Sequence, residues 1–170
     1  MKHFDPRKIK GTLVRAGVAT KEAVIGCSTL EIRALEKERR VKLPGAYKEF
    51  LRIMGHGAGE FASDCMWKYV SLADIEVIAS RGSTKDAAFS EYRKARETAF
   101  AFFLLQEDFF LFFYTNQGHD PPVWTSEHPQ QPFFPSFSSW LWAGIDEQVA
   151  WQQLKKRRSL SEAIAAEDHM

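Results

Sequence analysis

The chain has 170 residues, 23 basic against 22 acidic for a formal charge of +1, and 14% of its residues are aromatic. That length suits one domain, able to hide about 70% of its unfolded surface and so to build an unaided core. The balanced charge argues against a general nucleic-acid coat or a membrane-surface protein, both of which need a clear basic excess.

At the N-terminus, Asp5-Pro6 can start a helix carrying Ile9, Leu13 and Val14 on one side. Gly11, Gly17 and Gly26 interrupt it, so residues 1–27 read as an N-terminal arm packed on the domain. Ser28 with Glu31 three residues later is a capping box, each side chain satisfying a backbone N–H that the first helical turn leaves unpaired. Behind it Glu36 and Glu38 alternate with Arg33, Lys37, Arg39 and Arg40, the last two cations lying near the negative end of the helix. Pro44 disfavours helix at Leu43 but suits the first position of a second helix. There Tyr47, Phe50, Leu51 and Met54 recur at i, i+3, i+4, i+7, one apolar face. Gly55 is expected as a left-handed C-cap, with Gly57 and Gly59 keeping the exit loose.

Residues 66–71 read as a short strand, and 72–80 carry Leu72, Ile75 and Ile78 at helical period. A loop at 82–84 leads to a polar helical or irregular excursion over 85–98, anchored by Phe89 and Tyr92. Residues 100–105 and 109–114 are near-continuous aromatic runs around Gln106-Glu107-Asp108, which reads as a β-hairpin buried on one face and covered on much of the other. Its turn lacks glycine, so Asp108 is the residue best suited to a positive φ. Asn116-Gln117-Gly118 makes another turn, and Pro121 and Pro122 place a short strand at 123–125 near an edge. Ser136 caps a closing helix with Phe137, Trp140, Leu141, Ile145 and Val149 on its apolar face. Lys155-Lys156-Arg157-Arg158 ends it, and Ser159 with Glu162 boxes a short helix in a tail over 151–170.

The motifs carry little chemistry. GHGAGEF is the one glycine cluster, but a phosphate loop would follow a strand, lead into a helix and end in Lys-Ser/Thr. His3, His56, His119, His128 and His169 show no HxxxH spacing, and Cys27 and Cys65 form no CxxC, so no metal site is expected. No serine stands in GxSxG, and Cys65 beside Asp64 reads as a small core residue. No catalytic residue and no cofactor is assigned. The cations at 155–158 read as a solvated helix end, with contact to nucleic acid or an acidic partner as the alternative.

Acid gathers instead around the sheet, at Glu107, Asp108, Asp120 and Glu127. Trp67, Trp124, Trp140, Trp142 and Trp151 cannot all be core; Trp142, offset from the helix face, and Trp124, on the edge strand, read as interface anchors or as loop-covered rings. The candidate partner-binding set is therefore Asp120, Trp124, Glu127 and His128. Two cysteines suggest no disulfide framework, and the start lacks the apolar core of a secretory signal. The apolar run over 99–114 is broken by Gln106, Glu107 and Asp108 before it could cross a bilayer. A cytoplasmic protein with no membrane partner is the expectation.

The string LE followed by LP-x2-Y-x2-FL and GxGxGxF resembles the N-terminal signature of the SUKH superfamily, which includes the fungal Smi–Knr cell-wall-assembly regulators and many bacterial toxin-neutralising proteins. Downstream, FAFFLLQEDFFLFF, DPPVW and PSFSSWL resemble the hairpin, short strand and closing helix of the bacterial members. The resemblance implies a SUKH-like domain over 28–150 with an α+β fold, a mixed, mostly antiparallel sheet with helices packed on one side. It further implies a non-enzymatic binding module: a bacterial immunity protein that neutralises a cognate toxin domain, a nuclease among the candidates, of a polymorphic or contact-dependent system. No direct contact with nucleic acid is expected. The alternative is a regulatory scaffold of the Smi–Knr type that binds a cellular partner.

Overall fold

The computed structural model describes residues 5–81, 87–106, 109–128 and 130–167. In chain order these form helix α1 (Pro6–Ala16), strand β1 (Val24–Ile25), α2 (Thr29–Arg39), α3 (Gly45–Met54), β2 (Gly57–Ala58), α4 (Leu72–Arg81), α5 (Ala87–Lys94), β3 (Ala99–Leu105), β4 (Phe109–Tyr114), β5 (Trp124–Thr125) and α6 (Phe137–Glu167).

The α2–α3 pair forms as its local signals require. Ser28 Oγ accepts the Glu31 N–H at 3.2 Å while Glu31 Oε2 accepts the Ser28 N–H at 2.7 Å. Arg40, at φ 52, stops α2, and Glu36 Oε1 accepts the Leu43 N–H at 2.8 Å to hold the turn. Tyr47, Phe50, Leu51 and Met54 of α3 are fully buried, each removal from water worth about 1.5–3 kcal/mol. Gly55 is not a left-handed cap: it keeps a right-handed backbone at φ −59. Glycine is required there for space, because a Cβ would stand 2.5 Å from Cys27 Sγ. Gly57 does not loosen the exit either. With Ala58 it pairs antiparallel with β1, and Gly59, at φ 61, turns the chain out of that ladder. Upstream, Gly11 lies inside α1, which buries Ile9 and Leu13 and packs on α3 and α6.

The second sheet has the order β3-β4-β5, antiparallel throughout, with Phe100 opposite Phe113 and Leu105 opposite Phe109. A bulge between Ala101 and Phe103 lets Phe102 and Phe103 both reach Trp140, at 4.9 and 5.5 Å between centroids. On one face Phe100, Phe102 and Phe113 meet Tyr47 of α3, and Phe102 and Phe113 meet Phe137 of α6; on the other Phe110 and Phe112 meet Tyr92 of α5. The fold is α+β, as expected, but helices flank both faces of this sheet rather than one. Strands apolar at nearly every position would otherwise leave a row of phenylalanines in water. A polar knot crosses the core: Glu76 of α4 accepts from Arg39 and Tyr92, and the Tyr92 hydroxyl accepts the Ala101 N–H at 3.1 Å.

Two further expectations are corrected. Residues 66–71 make only a single bridge, Met66 to Leu104, because the Tyr69 N–H donates to Gly55 O at 2.7 Å and draws the chain into a 3-10 turn. The closing helix does not end at 155–158 but runs 31 residues to Glu167. Lys and Arg favour helix, and Ser159 Oγ donates back to Lys155 O at 3.2 Å, the bond of a helix interior rather than a cap. Gln106 takes the positive φ, 59, of the hairpin turn. The expectations for Asp108 and for the 82–84 loop lie outside the described residues. Among those residues no helix is long and apolar enough to cross a membrane.

Candidate functional site

Asp120 is turned inward. Its Oδ1 accepts the Ser138 N–H at 2.9 Å and, with Ser136 Oγ accepting the Ser139 N–H at 3.1 Å, caps α6. Trp124 sits half-buried on β5 with its ring edge-on to Tyr114 at 5.5 Å, and its Nε1, buried, has no hydrogen-bond partner among the described residues. Glu127 and His128 are exposed in the bend after β5, where the His128 N–H donates to Thr125 Oγ1 at 3.1 Å. Trp124, Glu127 and His128 thus share the outer edge of the sheet, and Asp120 serves the helix. Trp142 is not an exposed anchor but buried, because α6 begins inside the domain and is surrounded through its first turns.

A groove of about 360 Å3 opens between the turn at 61–65, the end of β3 and the middle of α6. Trp67 Nε1 donates to Ala62 O at 3.1 Å and meets the Phe61 ring edge-on at 5.5 Å, fixing that turn. Phe61, Phe103, Leu105, Trp140 and Trp151 form the apolar wall, with Trp151 52% exposed. Asp64 and Glu147 stand exposed on the rim, and no lysine, arginine or histidine among the described residues lines it. Burial first, then the charges of Asp64 and Glu147, push the Cys65 thiol up. An apolar wall under an acid-only rim fits a cationic surface that carries an apolar anchor.

A wider hollow of about 580 Å3 between α1 and α3 carries Lys10, Lys21 and Arg52. Two of those cations are engaged locally, Lys10 Nζ with Val24 O at 3.3 Å and Arg52 with Glu49 at 3.7 Å. Within 155–158, Lys155 reaches Glu60 at 2.9 Å and Lys156 reaches Ala16 O at 3.5 Å, so this run staples α6 to the body instead of closing a helix.

No metal motif is visible in the sequence, yet three groups that could hold an ion lie together in the fold. Cys27 Sγ, a Glu31 oxygen and a His56 ring nitrogen all lie within 4.8 Å of one another. Glu31 Oε1 and His56 Nε2 are 2.8 Å apart. Cys27 and Glu31 are brought together by the first turn of α2, and His56 by the β1–β2 pairing that the sequence did not announce. Burial and the Glu31 charge push the Cys27 thiol up to about 12, which makes it a poor nucleophile at neutral pH.

Groove residues Asp64, Leu105, Glu147 and Trp151 come from three separated segments and carry no joint sequence signal. Only the surplus of tryptophans hinted at one of them. A family model described as the SMI1 / KNR4 family (SUKH-1) matches residues 26–142. No curated protein matches the chain.

Proposed function

The chain belongs to the SMI1 / KNR4 family (SUKH-1), and on that premise we propose that it is a non-enzymatic immunity protein that docks on a cognate toxin domain and blocks it. The observation that carries this reading is the groove over 61–65, 103–105 and 140–151, apolar on its wall and acidic on its rim. A domain that acts on nucleic acid presents a basic face, and an inhibitor gains on-rate and specificity by offering acid to it. Trp151 supplies the central aromatic anchor, and truncating such a residue costs about 2 kcal/mol or more. Glu127 and His128, with Trp124 behind them, give a second contact at the sheet edge; Asp120 contributes by holding α6. The protein works in the cytoplasm, where a toxin entering or made in the cell must be met.

Co-expression with the products of the adjacent genes, each first scored for toxicity when expressed alone, tests the reading. The wild-type chain is expected to rescue growth. The double variant Trp151→Ala, Glu147→Lys is expected to keep an unchanged far-UV spectrum and to fail to rescue. If no neighbouring gene product is bound and no toxin is neutralised, the regulatory scaffold of the Smi–Knr type replaces the immunity role.

A further inference from the structure

Away from the groove, a cysteine, a carboxylate and an imidazole converge where the start of α2 meets the exit of α3. We propose that Cys27, Glu31 and His56 form a zinc-type transition-metal site, three protein ligands with water at the fourth position. Their ligand atoms all lie within 4.8 Å of one another. Tetrahedral coordination at zinc bond lengths sets ligand atoms about 3.3–3.8 Å apart. Side-chain rotation closes that gap, widening the 2.8 Å Glu31–His56 contact and drawing in Cys27 Sγ.

The backbone beneath each ligand is already fixed. The Cys27 N–H donates to Leu51 O at 2.8 Å, and the His56 N–H donates to Ile25 O at 2.9 Å. Glu31 Oε2 accepts the Ser28 N–H at 2.7 Å, which leaves Oε1 to face the ion and orients the carboxylate from behind. The Tyr69 ring lies edge-on to His56 at 5.4 Å and limits the imidazole's rotation.

The donor set decides the metal. A thiolate and an imidazole select zinc or cobalt over magnesium and calcium, which want oxygen alone. Charge also balances: a divalent ion with one thiolate, one carboxylate and a neutral imidazole is neutral, which the positive N-terminal end of α2 tolerates where a net cation would be repelled. Loading releases the Cys27 thiol proton to water, with the sulfur electron pair going to the metal and no change of oxidation state. His56 then offers the Nε2 lone pair and carries its proton on Nδ1.

The untagged full chain, stripped with a chelator and titrated with Co2+, tests this. A thiolate-to-cobalt charge-transfer band should grow in and saturate at one ion per chain. It should survive in Cys65→Ser, vanish in Cys27→Ser and weaken at least tenfold in affinity in His56→Gln. Zn2+ should abolish the band and raise the melting temperature of the wild type. Absence of a charge-transfer band in the wild type overturns the site. So does a band lost in Cys65→Ser, a result that decides the matter even if Cys27→Ser does not fold.

Discussion

The ring of Tyr47 meets Phe50, Phe100, Phe102, Phe113 and Phe137, with centroids 5.1–5.8 Å away. Its hydroxyl is fully buried and has no hydrogen-bond partner among the described residues. Burial raises its pKa far above the usual phenol range, so it stays a donor with nothing to accept from it, a cost of about 1–3 kcal/mol. Tyr47→Phe removes the donor and keeps the ring, and its melting temperature is expected to equal or exceed that of the wild type. A clear fall would reveal a hidden acceptor. Leu51, fully buried on the same helix, behaves in the opposite way: Leu51→Ala should cost about 2–5 kcal/mol in denaturant unfolding, and no loss would mean that its face is not core. Residue-scale signals were legible wherever partners are close in sequence, as with Ser28 and Glu31. Gly55 was misread because what it makes room for, Cys27 Sγ, comes from another element.

At the scale of elements, the apolar periods of α3, α4, the hairpin and the start of α6 were all legible, since each is a local pattern. The β1–β2 ladder was not, because two-residue strands carry no period. The length of α6 was missed for a physical reason: a run of cations marks a helix end only when a breaker follows, and none does here. Its second half is fastened by Glu60, whose carboxyl is held below the usual range by hydrogen bonds from Lys155 first and Gln152 second. A depressed folded-state pKa stabilises above the ordinary carboxylate value, and that contribution is lost as pH falls through the folded value. The melting difference between wild type and Glu60→Gln should therefore be present at about pH 7 and close towards about pH 3. A difference that widens in acid would mean that the staple is not ionic.

For the whole molecule, the family was legible from anchors in a short stretch, and the match over 26–142 confirms it. The groove was not, because Asp64, Leu105, Glu147 and Trp151 meet only when the 61–65 turn, β3 and α6 pack together. The sheet-edge residues were visible in sequence as an aromatic ringed by acid, but nothing in the sequence told that Asp120 faces its own helix. If the groove is the principal contact, binding is electrostatically steered, so raising salt should slow association far more than it speeds dissociation. The central claim is stoichiometric binding of a basic toxin domain through that groove. Calorimetric titration of the chain with the purified product of an adjacent gene that is toxic when expressed alone tests it most directly, with wild type, Trp151→Ala and Asp64→Lys/Glu147→Lys compared. The account predicts one-to-one binding by the wild type and a loss of at least about tenfold in affinity, roughly 1.4 kcal/mol, in each variant. Equal affinity in all three would contradict it.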